Sequence, residues 1–203
     1  MTLKIAKVKI RGTRPFLFHN FNTDILALNP RDRELTGVAG NNPDEWKDTY
    51  TADENNQLYI RGTNVFFCLR NAAKYVKEGR TSIQTNLSSA LQVLTDRVYF
   101  NRYMPEELTR DETQPVYLDV RGVKNPNTRG RNVRYRVALS PGWETEFEFI
   151  WENSLVSTRQ IKNVLLDAGT LVGLGDGRAI GFGRFKIISL EIDTYNEGMN
   201  KIA

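Results

Sequence analysis

Cysteine and histidine are almost absent from this 203-residue chain: Cys68 and His19 are the only ones. A single cysteine excludes an intramolecular disulfide, so the fold needs no oxidising compartment. One histidine and one distant cysteine do not make a zinc site. Asp44, Glu45 and Asp48 read as a water-facing acidic stretch rather than a hard-cation site. Neither a metal nor a cofactor is expected. No apolar run approaches the length of about 18 residues that a membrane span requires. Met1-Thr2-Leu3-Lys4-Ile5 enters a strand pattern without an apolar signal core. The expectation is a cytoplasmic protein with no membrane partner. Neither Gly-x-Ser-x-Gly nor Gly-Lys-Ser/Thr occurs, which removes the serine-hydrolase elbow and the P-loop.

Hydrophobic residues make up 40% of the chain, enough for a sizeable core. The formal net charge is +4 and the pI about 9.2, a mildly basic balance that permits a polyanionic partner without demanding one.

Leu3, Ile5, Val8 and Ile10 against Lys4, Lys7, Lys9 and Arg11 describe a strand with one buried and one cationic face. Residues 19–57 are polar and rich in turn formers, the pattern of a long insertion, with a short helix after Pro43. Leu58-Tyr59-Ile60 reads as a strand. Val65, Phe66, Leu69, Ala72, Ala73 and Val76 give a helix over about 63–78 with Thr63 as N-cap, and Arg70, Lys74 and Lys77 share its outer face. Residues 80–96 do not resolve into one element, although Ser88 to Leu94 has helical character. Strands follow at 98–100, 116–139 (broken by a turn) and 144–152. Ser157 and Gln160 form a capping box for a helix to about Gly169. A last strand runs from Arg184 to Ile192, and 194–203 reads as a frayed tail. Stripped of the insertion, this order is compatible with a β-α-β-β-α-β core, an α+β ferredoxin-like antiparallel sheet with two helices, spanning 1–193 as one domain.

Two stretches carry possible chemistry. Residues 121–136 hold Arg121, Lys124, Arg129, Arg131, Arg134 and Arg136 with no acid among them. Between the second helix and the last strand lie Gly173, Gly175, Gly177, Gly181 and Gly183, with Arg178 and Arg184 beside them. This loop follows a helix and enters a strand, the reverse of a dinucleotide fingerprint. Glycines there let backbone approach a ligand and expose amide N–H groups, or serve a cap and bulge alone.

Gly173-Leu174-Gly175-x-x-Arg178-x-x-Gly181-Phe182-Gly183-Arg184-Phe185 resembles the C-terminal glycine-rich loop of the RAMP superfamily of CRISPR-associated proteins. Leu58-Tyr59-Ile60-Arg61-Gly62-Thr63 leading to Leu69-Arg70 is similar to that family's strand-to-helix segment, with Arg61 in place of the usual proline. The resemblance implies an RRM-like fold and a nucleic-acid-binding backbone subunit. Its partners would be single-stranded RNA or DNA and further subunits, identical copies or others, in a larger complex. The residues themselves supply candidate contacts for such a role: the six basic residues of 121–136, Arg70 and Lys74 on the first helix, and Gly175, Gly177, Arg178, Gly181, Gly183 and Arg184 in the loop. Trp46, Tyr50, Phe66, Phe67, Tyr99, Phe100, Tyr103 and Tyr135 are candidates for base stacking. The alternatives are a metal-independent endoribonuclease using His19, with Asp24 or Asp32 in support, and an interaction protein that keeps the fold without binding nucleic acid.

Overall fold

The computed structural model describes residues 2–19, 43–124 and 130–195. Asp24, Asp32, Arg129, most of the 19–57 insertion and residues 196–203 lie outside the described residues. Strand β1 (Leu3–Gly12) buries Ala6, Val8 and Ile10 and is an inner strand of the main sheet. It pairs antiparallel on one side with β10 (Glu144–Glu152) and on the other with β11 (Phe185–Thr194). Next to β10 lie β6 (Leu91–Val93) and β7 (Arg97–Tyr103), successive pieces of one irregular strand, and β3 (Gln57–Arg61) closes the edge.

The spatial order is β11-β1-β10-β7-β3, with β6 also on β10. Helix α1 (Gly62–Ala72) connects towards β6–β7, and α3 (Thr158–Asp167) connects β10 to β11. Without the added edge strand this is the fourth-first-third-second order of a ferredoxin-like α+β fold. The strand expected at 144–152 thus joins the main sheet. The preceding pair, β8 (Val116–Lys124) and β9 (Arg131–Leu139), instead forms a second sheet with β2 (Phe16–Leu17). Trp143 is fully buried against Phe16, Phe100 and Phe185, with ring centroids 5.7, 5.6 and 6.5 Å away, and ties the two sheets together.

Several local expectations change. α1 stops at Ala72 rather than near 78, because Lys77–Glu78 (β4) and Thr81–Ser82 (β5) form a small hairpin around Gly79. Val76 stays buried in the turn before it, which extends the apolar spacing past the true helix end. The residue preceding α1 is Arg61, with no side-chain cap, so Thr63 is not the N-cap. Residues 84–90 form α2, which ends where β6 begins. β11 continues to Thr194, and the Tyr195 N–H donates to the Leu3 carbonyl at 2.9 Å.

At α3 the capping box is complete: the Ser157 hydroxyl accepts from the Gln160 N–H at 3.4 Å, and Gln160 Oε1 accepts from the Ser157 N–H at 2.8 Å. Ser157→Ala is expected to cost about 1 kcal/mol, read as a lower midpoint in urea denaturation with an unchanged slope.

The cationic face of β1 is neutralised by its neighbour. Lys7 pairs with Glu146 at 3.1 Å, Lys9 with Glu144 at 3.0 Å, and Arg11 with Glu144 at 2.5 Å. The Lys7 ammonium is raised by its hydrogen bond to Glu146, and the Glu144 carboxyl is lowered by Lys9 and Arg11. Antiparallel register puts the alternating lysines of one strand against the alternating glutamates of the other.

Candidate nucleic-acid interface

The glycine segment sits at the end of the main sheet where β1 finishes and β11 begins. Its shape follows from α3, which loosens into one π turn over Ala168–Val172 before Gly173 turns the chain at φ 81°. The loop is then fastened to residues 15–18: the Asp176 N–H donates to the Leu17 carbonyl at 2.9 Å and the Gly183 N–H to the Pro15 carbonyl at 2.7 Å. A Cβ on Gly175 would lie 2.6 Å from the Leu17 carbonyl oxygen. Gly175 and Gly183 therefore allow the chain to approach itself. Gly177 lines the space shared with the first helix, although a Cβ there would meet the Phe182 and Leu17 side chains at 3.0 and 3.1 Å, and Gly181 has nothing within 4 Å of a Cβ position. Behind the loop, the buried Cys68 thiol donates to the Gly173 carbonyl at 3.2 Å, and burial pushes its pKa up to about 12.

Between this loop and the end of α1 lies a cleft of about 580 Å³ lined by Lys74, Tyr75, Leu171, Gly177, Arg178 and Arg184, among others. Lys74 and Arg178 are exposed, and among the described residues neither has an ion-pair partner. Arg184 Nη2 donates to the Arg178 carbonyl at 3.4 Å, while its Nη1 is buried without a hydrogen-bond partner. Tyr75 is 56% exposed beside Lys74. This aromatic escaped the sequence reading. It lies outside the apolar stripe of α1, four residues after Asn71, which also lines the cleft.

The basic stretch behaves differently. Arg134 pairs with Glu45, whose other carboxylate oxygen accepts from the Tyr135 N–H at 3.2 Å. Arg136 is buried between Asp119, 3.5 Å away, and Asp176. Arg121 is bonded to Asp119 and lies over the Phe182 ring, 4.7 Å from its centroid. Arg70 Nε donates to Ser88 Oγ at 3.1 Å. Lys124 and Arg131 pair as backbone at the open end of β8 and β9. So Lys74, Gly177, Arg178 and Arg184 are brought together, whereas Arg121, Arg134 and Arg136 hold the second sheet to its neighbours.

Asp176 belongs to both groups, lining the cleft and binding Arg136. Burial alone would raise its carboxyl, but the Gly177 N–H, the Arg136 guanidinium and His19 outweigh burial and hold it below the ordinary carboxylate range. His19 is exposed and close enough to act on Asp176 electrostatically. Among the stacking candidates, Phe100 is fully buried. Trp46 and Tyr50 stack on each other with centroids 6.1 Å apart. Phe67 is 52% exposed against a partly buried Phe66. Among the described residues no group of three or more His, Cys, Asp or Glu is placed to hold a metal, and no helix is long and apolar enough to cross a membrane.

No protein-family model matches the chain, and no curated protein matches it. Among solved structures, it is similar to a chain in the cryo-EM structure of the Type III-B Cmr-beta bound to cognate target RNA. The TM-score is 0.55, the sequence identity 13%, and the match covers 95% of this chain and 61% of that one. The chain thus spans less than two thirds of that neighbour's length, and at this identity the likeness is one of fold.

Proposed function

We propose that this chain is a single-stranded RNA-binding subunit of a larger ribonucleoprotein, gripping the RNA backbone in the cleft between α1 and the glycine loop. The observation that carries this reading is the convergence of Lys74, Arg178 and Arg184 on one open cleft beside the exposed Tyr75. Cations with no protein carboxylate of their own are the ones available to phosphates, and an adjacent aromatic offers a face to a base. The likeness to a chain from an RNA-bound assembly supports RNA and fellow subunits as partners, as does the resemblance of the glycine segment to CRISPR-associated RAMP proteins.

Three phosphate contacts on a single strand give a slope of log affinity against log salt of about −2. Fluorescence anisotropy with labelled single-stranded RNA and DNA over a salt series is expected to show it. Lys74→Ala/Arg178→Ala should flatten the slope to roughly −0.7. A salt-independent response, or a double variant that binds like wild type, would overturn the reading. Cleavage in EDTA that disappears in His19→Ala would transfer the chain to the endoribonucleases.

A further inference from the structure

The main sheet has two edges, and the fold treats them differently. Beyond β3 the chain doubles back along residues 51–53. Ala52 bridges to Leu58, the Tyr59 N–H donates to the Thr51 carbonyl at 3.1 Å, and the Asp53 N–H donates to the Gln57 carbonyl at 3.1 Å. The Thr51 hydroxyl also donates to the Tyr59 carbonyl. That edge is covered. At the other end β11 pairs with β1 alone among the described strands, so its outer backbone groups have no strand beside them.

β11 is 10 residues long and holds no proline. Its one irregularity comes early: the register with β1 shifts between Lys9 and Ile10, which leaves Ile188 as an extra residue. From Ser189 to Thr194 the pairing with Lys9 to Lys4 is unbroken. On the core face Ile187, Leu190 and Ile192 are only partly buried, so apolar surface remains for another strand to cover. On the open face Ser189, Glu191 and Asp193 are exposed. Lys7, opposite Glu191, is already bonded to Glu146 at 3.1 Å, and among the described residues neither Glu191 nor Asp193 is in an ion pair.

We propose that the outer edge of β11 accepts an extended segment of another protein subunit, one that carries lysine or arginine at alternate positions against Glu191 and Asp193 and apolar residues on its other face. The proposal rests on the reading of the chain as a subunit of a larger assembly and names where a neighbour attaches. In strand addition the main-chain hydrogen bonds supply affinity and the alternate side chains supply selection. Here the acidic pair selects the partner, because opposite charges across a strand pair stabilise it and like charges weaken it. A second copy of β11 is a poor occupant for the same reason. Antiparallel registers centred on Glu191, Ile192 or Asp193 set acid against acid, and one centred on Leu190 draws the Ile188 bulge into the ladder.

The probe is a short capped peptide of alternating lysine and valine, added to the full chain while exchange of the 189–194 amides is followed residue by residue by NMR. A glutamate–valine peptide and a lysine–valine peptide interrupted by proline are the controls. In the protein alone the outward amides of this stretch should exchange fast; the lysine–valine peptide should slow them and neither control should. Glu191→Gln/Asp193→Asn changes two exposed positions and should bind the peptide roughly fivefold more weakly. Equal protection by the proline-interrupted peptide, no added protection, or unchanged affinity in the double variant would overturn the proposal. So would outward amides already slow in the protein alone, since the edge would then be occupied, and slowing that grows with protein concentration would assign it to a second copy. RNA binding with the expected salt slope but no strand addition would leave the single-strand reading standing, and strand addition without RNA binding would leave the edge standing.

Discussion

Asp119→Ala is expected to lower the free energy of unfolding by about 3–5 kcal/mol, the scale for removing one partner of a buried ion pair. The Asp119 side chain is 1% exposed. It binds Arg121 through Oδ2 and faces Arg136 through Oδ1, and Arg136 is itself only 6% exposed. Without Asp119, Arg136 keeps only Asp176, which is 40% exposed and partly screened by solvent. Both arginines also reach the glycine segment, Arg136 at Asp176 and Arg121 at Phe182. The substitution should therefore loosen the wall of the cleft as well as the second sheet. Urea denaturation reads the stability loss. The salt slope of RNA binding separates the roles: Lys74, Arg178 and Arg184 remain, so affinity should fall while the slope stays near that of wild type. A loss below about 1 kcal/mol would mean that the network contributes no more than a surface pair.

That network also explains which part of the site was legible in the sequence. Arg134 and Arg136 looked like part of an unopposed basic stretch because counter-charges of theirs are remote, while Asp119, the partner of Arg121, lies just outside the stretch. Glu45 is 89 residues from Arg134 along the chain, and Asp176 is 40 from Arg136. The same holds for Arg11, whose partner Glu144 is 133 residues away. A cation's availability is a property of pairing, and pairing between strands of high sequence separation leaves no local trace. Lys74, Gly177, Arg178 and Arg184 were legible as residue types suited to a phosphate. Their convergence was not, since it depends on α1 and the α3–β11 loop meeting at one end of the sheet. Tyr75 had no signal beyond its place next to Lys74.

For the fold, the elements with a period were readable. β1, β7, β10 and α3 bury alternating or three-and-four-spaced residues, and their limits fall within a few positions of the pattern. Elements too short to repeat were not: β2 has two residues, β6 has three, and the β4–β5 hairpin replaces the last turn expected of α1. The assignment of 144–152 to the main sheet lay equally beyond local reading, because it is fixed by Trp143 turning under Phe16 and by the Lys–Glu register with β1. These non-local choices shape the proposed interfaces. They neutralise the β1 face, clamp the loop, and leave Lys74 and Arg178 at the cleft without an ion-pair partner among the described residues.

Gly183→Ala is expected to be as damaging as the loss of Asp119, about 4 kcal/mol, through the backbone alone. Gly183 has φ 69°, a conformation that costs a residue with a Cβ about 1–2 kcal/mol. The added Cβ would also lie 1.7 Å from the Leu174 carbonyl oxygen, with the Leu174 carbonyl carbon and nitrogen at 2.8 and 2.9 Å. None of these atoms belongs to a flexible side chain. Leu174 is further held by its N–H donating to the Gly183 carbonyl at 2.9 Å, and Gly183 by its N–H to Pro15. Relief requires the two arms of the loop to separate, which strains the hydrogen bonds to 15–18 and shifts Arg184 in the cleft. Gly181→Ala is the comparison. Its φ is 94°, but nothing lies within 4 Å of the Cβ position. It should lose only the conformational part, about 1–2 kcal/mol, and keep its RNA affinity. If the two variants unfold at the same urea concentration, the close approach of the loop arms contributes nothing. The glycines would then serve the turn alone, and the cleft would have no fixed wall on which to hold Arg178 and Arg184.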